Sequence, residues 1–137
     1  MDKDRILSKI DEIDKYLEEL ESIKPIDLEE YETSIAKKRA CERLLQILVE
    51  IEIDICNLLV FSLKLGMPSD EEDLFTKLAS RKVISEELKL ILINMKGFRN
   101  FIVHRYEEID DEKVFEIITD KLDDFEKFKQ EVLKFIK

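Results

Sequence analysis

The chain has 137 residues, 45% hydrophobic and 41% charged, with only two Gly, two Pro and no Trp. One domain over residues 1–137 is expected, long enough to bury a core without staples, and the many Leu, Ile, Glu and Lys with few breakers point to an all-α protein. No apolar run approaches the roughly 20 residues of a membrane span, and Met1-Asp2-Lys3-Asp4-Arg5 leads into no apolar leader, so a cytoplasmic location is expected.

The net charge of −10 is unevenly spread. Residues 1–33 carry 12 acids and 5 bases, residues 107–137 carry 11 acids and 6 bases, and residues 34–106 carry 10 acids and 12 bases. An acidic chain is a poor general binder of nucleic acid. The middle segment, with Lys37, Lys38, Arg39, Arg43, Lys96, Arg99 and Arg105, leaves room for a locally positive groove. Most of these charges also suit an ordinary solvated helix face.

Ile6, Ile10, Ile13, Leu17 and Leu20 recur at three- and four-residue spacing, which predicts an amphipathic helix over about residues 3–22. Pro25 marks a turn, and Asp27 with Glu30 reads as a capping box opening a second helix. That helix runs to about Lys64, with Gly66 as its left-handed stop and Pro68 beyond. From Leu44 to Phe61 it is apolar on more than one face, as a central helix or one contacting a second subunit would be. Ser69 with Glu72 opens a short helix to about Ser80. Ser85 caps the next, whose Leu88, Ile91, Leu92, Met95, Phe98 and Ile102 face the core. Asp110 or Asp111 opens a last helix with the stripe Val114, Ile118, Leu122, Phe125, Val132 and Phe135. The expected architecture is an antiparallel bundle of about five helices.

Cys41 and Cys56 fall on one predicted helix, and fifteen residues at about 1.5 Å each put them roughly 22 Å apart. They cannot form a disulfide with each other, and free buried thiols are expected. No Cys/His spacing suits zinc, the Gly66 and Gly97 contexts make no phosphate loop, and neither metal nor cofactor is expected.

The chemistry-bearing string is Arg99-Asn100-Phe101-Ile102-Val103-His104-Arg105-Tyr106, which holds the only histidine of the chain. Histidine can accept and donate a proton near pH 7, and arginine offers a permanently charged planar fork that fits phosphate. A proton shuttle beside a fixed cation serves metal-free phosphodiester cleavage. At about 100° per residue Asn100 and His104 share a face, whereas Arg99 and His104 diverge by about 140°. They meet at one phosphate only if the helix ends or distorts near Val103 or if two copies line a shared cleft across a two-fold axis. Each residue also has a plainer reading. His104 can be a helix-end surface residue, Arg99 an ion-pair partner of Glu107 or Glu108, and Tyr106 an amphipathic residue at the core edge.

The string resembles the R-x4-H-x-Y motif of HepT-like ribonuclease toxins of the HEPN superfamily. Arg39 through Asn57 resembles the long second helix of that family, and Val83–Leu88 and Met95–Asn100 resemble the segments leading into its motif. The resemblance implies a dimerising all-α HEPN fold and a metal-independent endoribonuclease acting on RNA as the toxin of a toxin–antitoxin pair. It assigns Arg99 and His104 as the catalytic pair and Asn100 as a supporting polar residue. Tyr106 becomes the position AMPylated by the partner, an MNT-type nucleotidyltransferase antitoxin. The competing expectations are a catalytically inactive HEPN subunit that docks and regulates a nucleotidyltransferase, and a helical interaction protein without chemistry.

Overall fold

The computed structural model describes residues 2–104 and 110–137, which form α1 (Lys3–Ile23), α2 (Leu28–Thr33), α3 (Ile35–Ser62), α4 (Glu71–Ser80), α5 (Glu86–His104), α6 (Asp111–Asp120) and α7 (Asp123–Ile136). No strand is present among the described residues. A short acceptor side chain precedes nearly every helix. Asp2, Asp27, Ser34, Asp70 and Asp110 each accept from a first-turn N–H, and Ser85 Oγ accepts from Leu88 N at 3.1 Å. Such bonds satisfy amides that the helix itself leaves orphaned, each contributing about 1 kcal/mol.

Among the described residues seven helices replace the expected five, because two predicted helices are broken. The second breaks at Ser34, whose extended backbone (φ −99°, ψ 97°) ends α2 while its hydroxyl accepts from Lys37 N at 3.3 Å. The last breaks at Lys121–Leu122. That offset rotates the final stripe, so Phe128 and Ile136 are buried and Phe135 is exposed, against expectation. The short helix is capped by Asp70 rather than Ser69: Asp70 Oδ1 accepts from Asp73 N at 2.7 Å, and Asp73 Oδ2 accepts from Ser69 N at 3.0 Å.

The left-handed stop of α3 is Lys64, not Gly66. Lys64 has φ +55°, Lys64 N donates to Phe61 O, and Leu65 N donates to Val60 O. This is a Schellman closure with Lys where Gly is usual. α4 ends the same way at Lys82 (φ +59°), with Lys82 N to Ala79 O and Val83 N to Leu78 O.

α3 is the central element. It packs along α1 and against α2, α4 and α5, while α7 closes the bundle over α5 and α1. Its wide apolar surface is therefore consumed largely within the chain: Leu45, Leu48, Val49, Ile55, Cys56 and Leu59 are all buried. α6 lies on α2, where the Tyr31 and Phe115 rings meet at 6.3 Å and Lys38 pairs with Asp111 at 2.8 Å. Each fully buried Leu or Phe contributes roughly 1.5–3 kcal/mol relative to exposure. Both cysteines are free and buried.

Candidate functional site

α5 carries the site residues, and its start is anchored from α7. Glu131 accepts from Ser85 N at 2.7 Å and from Ser85 Oγ at 2.8 Å, and Lys127 sits 3.2 Å from the same carboxylate. The apolar positions Leu88, Leu92, Met95 and Ile102 are buried. They fix the rotation of the helix and so decide which way the polar positions point.

Arg99 points toward α3 and α4. Its Nη2 donates to Glu71 Oε1, and its Nη1 lies 3.9 Å from Glu50 Oε2. The side chain is only 15% exposed, and Nε is buried with no hydrogen-bond partner. Asn100 is half-buried. His104 is exposed in the last turn of the helix. The helix continues regularly through His104, so the divergence of about 140° between Arg99 and His104 stands. Tyr106, like Arg105, Glu107 and Glu108, lies outside the described residues. Glu71 and Glu50, 28 and 49 residues upstream of Arg99, are the partners that sequence spacing missed. No local pattern signals a pairing between separate helices.

The expected positive groove is largely neutralised. Lys37 pairs with Glu30 at 2.6 Å, Lys38 with Asp111, Arg39 with Glu42 at 3.1 Å, and Arg99 with Glu71. Glu42 is itself buried, so the Arg39 contact compensates a carboxylate that water cannot reach. Beside α5 a groove of about 730 Å³ opens toward α6 and α7. Phe98 and Phe101 line one wall, Lys113 and Lys121 the other, with Asp110 and Asp124 at the same rim. Gly97 also faces open space, with no atom within 4 Å of where a Cβ would stand.

No group of three or more His, Cys, Asp or Glu among the described residues could hold a metal ion. Burial pushes the Cys41 thiol up to about 11 and the Cys56 thiol well above its usual range, so neither is a thiolate at neutral pH. No described helix is long and apolar enough to cross a membrane.

Known proteins resemble this chain over most of its length. It is 28% identical over 131 residues to the tRNA nuclease HepT of Aphanizomenon flos-aquae, covering 96% of this chain and 89% of that protein. It is 38% identical over 84 residues to the mRNA nuclease HepT of Shewanella oneidensis, covering 61% of this chain and 63% of that protein. The tri-AMPylated HEPN toxin of Shewanella oneidensis, solved in complex with MNT antitoxin, superposes with a TM-score of 0.88 at 29% identity, over 94% of this chain and 96% of that one. Residues 13–132, a span that includes the whole Arg99–Tyr106 string, match the family described as Ribonuclease HepT-like, and the chain belongs to that family.

Proposed function

We propose that this chain is an endoribonuclease, the toxin of a toxin–antitoxin pair, with Arg99 and His104 as its catalytic residues. The observation that carries the reading is the near full-length likeness to a HepT nuclease and to a HEPN toxin bound by MNT antitoxin, together with an R-x4-H-x-Y string whose Arg99 and His104 lie in the last turns of a packed helix. His104 removes the proton of a ribose 2′-OH or protonates the leaving 5′-oxygen. Arg99 stabilises the charge that develops on the phosphorus oxygens. The product is a 2′,3′-cyclic phosphate, DNA is not cut, and no metal is needed.

A homodimer fits this chemistry. Leu90, Asn94, Gly97, Phe101 and His104 recur at four- and three-residue spacing and line one face of α5. Leu90 and Phe101 on that face are 59% and 54% exposed. Nothing inside the described residues approaches Gly97 closely enough to explain a glycine in mid-helix. A second copy crossing at Gly97 covers this face and draws the two His104 side chains toward a common cleft.

The antitoxin is a nucleotidyltransferase that transfers AMP from ATP to the Tyr106 phenol oxygen: the O–P bond forms at the α-phosphorus as the α–β anhydride breaks, and pyrophosphate and the phenol proton leave. Added phosphate beside the cleft repels RNA and competes for Arg99, which silences the nuclease. Asn100 supports the site as a half-buried polar neighbour of Arg99.

The test is cleavage of a labelled RNA pool in EDTA by wild type and His104→Ala, each made without antitoxin. Cleavage by wild type alone, leaving cyclic phosphate ends, is expected. Cleavage by the variant at the wild-type rate removes His104 from the mechanism. No cleavage by either favours a docking subunit for the nucleotidyltransferase.

A further inference from the structure

We infer that Glu71, backed by Glu50, is a positioning residue for the Arg99 guanidinium. The inference rests on the catalytic reading of Arg99 given above. The Arg99 side chain is held from two other helices: Nη2 donates to Glu71 on α4, and Nη1 faces Glu50 on α3 at 3.9 Å.

Three features make this more than a surface ion pair. First, the arginine is 15% exposed and Glu71 34%, so water screens the pair poorly. Second, Glu71 sits on a rigid element. It is the first residue of α4, whose start is pinned by Asp70 and whose Leu74, Phe75 and Leu78 are buried. Its neighbours serve other tasks: Glu72 is exposed, and Asp73 accepts from Ser69 N and lies 3.9 Å from Lys77. Third, the carboxylate occupies only part of the guanidinium. Five N–H bonds radiate from an arginine head, Glu71 takes one at Nη2, and Glu50 is too far from Nη1 to take another.

An arginine held this way keeps its charge and donors while losing its freedom to swing. A free arginine has rotamer freedom, which a phosphate would have to remove on arrival. Glu71 removes it in advance, as supporting shells do for groups that must meet a transition state in one geometry. Glu50 supplies a second negative charge on the other side of the head, which keeps the guanidinium between α3 and α4.

The experiment measures steady-state RNA cleavage by the full chain for wild type, Glu71→Ala, Glu71→Gln, Arg99→Ala and the double variant Glu71→Ala/Arg99→Ala. Rates are normalised to folded protein by circular dichroism and thermal midpoint. Glu71→Ala is expected to lower kcat on the order of 10- to 100-fold with a smaller change in KM. Glu71→Gln, whose amide oxygen still accepts from Nη2, recovers most of that loss. The double variant is no slower than Arg99→Ala alone, because Glu71 acts through Arg99. Wild-type kcat in Glu71→Ala, with Arg99→Ala impaired, overturns the inference and leaves the catalytic reading standing. Losses that multiply in the double variant overturn it as well. A fully active Arg99→Ala overturns the catalytic reading itself and the inference with it.

Discussion

Glu52 of α3 is wholly buried, and Asp124 of α7 raises its pKa further across the bundle. Burial is the larger cause, and one carboxylate oxygen of Glu52 has no hydrogen-bond partner. Burial also raises Asp124, opposed by Lys121 and Lys127 and aided by Asp123 and Glu87.

The sign of the consequence follows from proton linkage. Unfolded Glu52 ionises near its ordinary 4.5, whereas folded Glu52 holds its proton to well above that value. Between those two values the unfolded chain binds fewer protons, so stability falls as pH rises. Glu52→Gln mimics the neutral form and removes that slope. Thermal midpoints of wild type and variant should converge near pH 4 and separate in favour of the variant toward pH 8. A constant difference across that range would mean that Glu52 is ionised in the folded protein.

Lys64 and Lys82 each occupy a left-handed position that closes a helix. An L side chain there costs roughly 1–2 kcal/mol, which glycine avoids while giving back part of the gain through unfolded-chain entropy. Lys64→Gly and Lys82→Gly should each stabilise the chain by about 0.5–1 kcal/mol in urea unfolding. Gly66→Ala should do the reverse. Its φ is +96°, and the added Cβ meets only Lys77 Nζ at 3.6 Å, so the cost is backbone strain rather than crowding.

These same residues show where sequence was and was not enough. The fold class and most core positions were readable, because Ile6, Ile10, Ile13, Leu88, Leu92 and Ile102 follow helical period and are buried as period demands. The breaks at Ser34 and Lys121–Leu122 were not, since apolar spacing stays nearly helical through both and only the backbone departs. Gly66 drew attention away from Lys64, because composition marks the residue that adopts a positive φ most easily, not the one that must. The Arg99–His104 string was legible as chemistry. Its setting was not, because Glu50 and Glu71 reach Arg99 only through tertiary packing.

In the proposed dimer, Gly97 separates intrachain stability from assembly. Glycine in a helix interior costs about 1 kcal/mol relative to alanine, and a Cβ there meets no atom within 4 Å. Gly97→Ala should therefore raise the stability of the isolated chain by up to about 1 kcal/mol. Gly97→Leu should leave the fold intact by circular dichroism but hold two helices apart, giving a monomer in sedimentation and a loss of RNA cleavage. A Gly97→Leu protein that stays dimeric and active would place the contact between copies elsewhere than this face of α5.

Arg99 leaves α5 about 140° from His104 and on the side opposite Gly97, so a dimer crossing at Gly97 does not bring Arg99 of one copy to His104 of the other; in a dimer that meets on the Arg99 side of α5 instead, each centre takes Arg99 from one copy and His104 from the other. Two inactive variants should then complement each other. In a mixed dimer of Arg99→Ala with His104→Ala, one cleavage centre receives both intact residues and the other receives neither. Random mixing gives half mixed dimers, so about a quarter of wild-type activity should return. The measurement is RNA cleavage after the two variants are unfolded together and refolded at equal concentration. Each variant refolded alone is the control. Activity no higher than the controls, with mixed dimers present by mass, would assign each arginine to the histidine of its own chain or require both histidines in one centre.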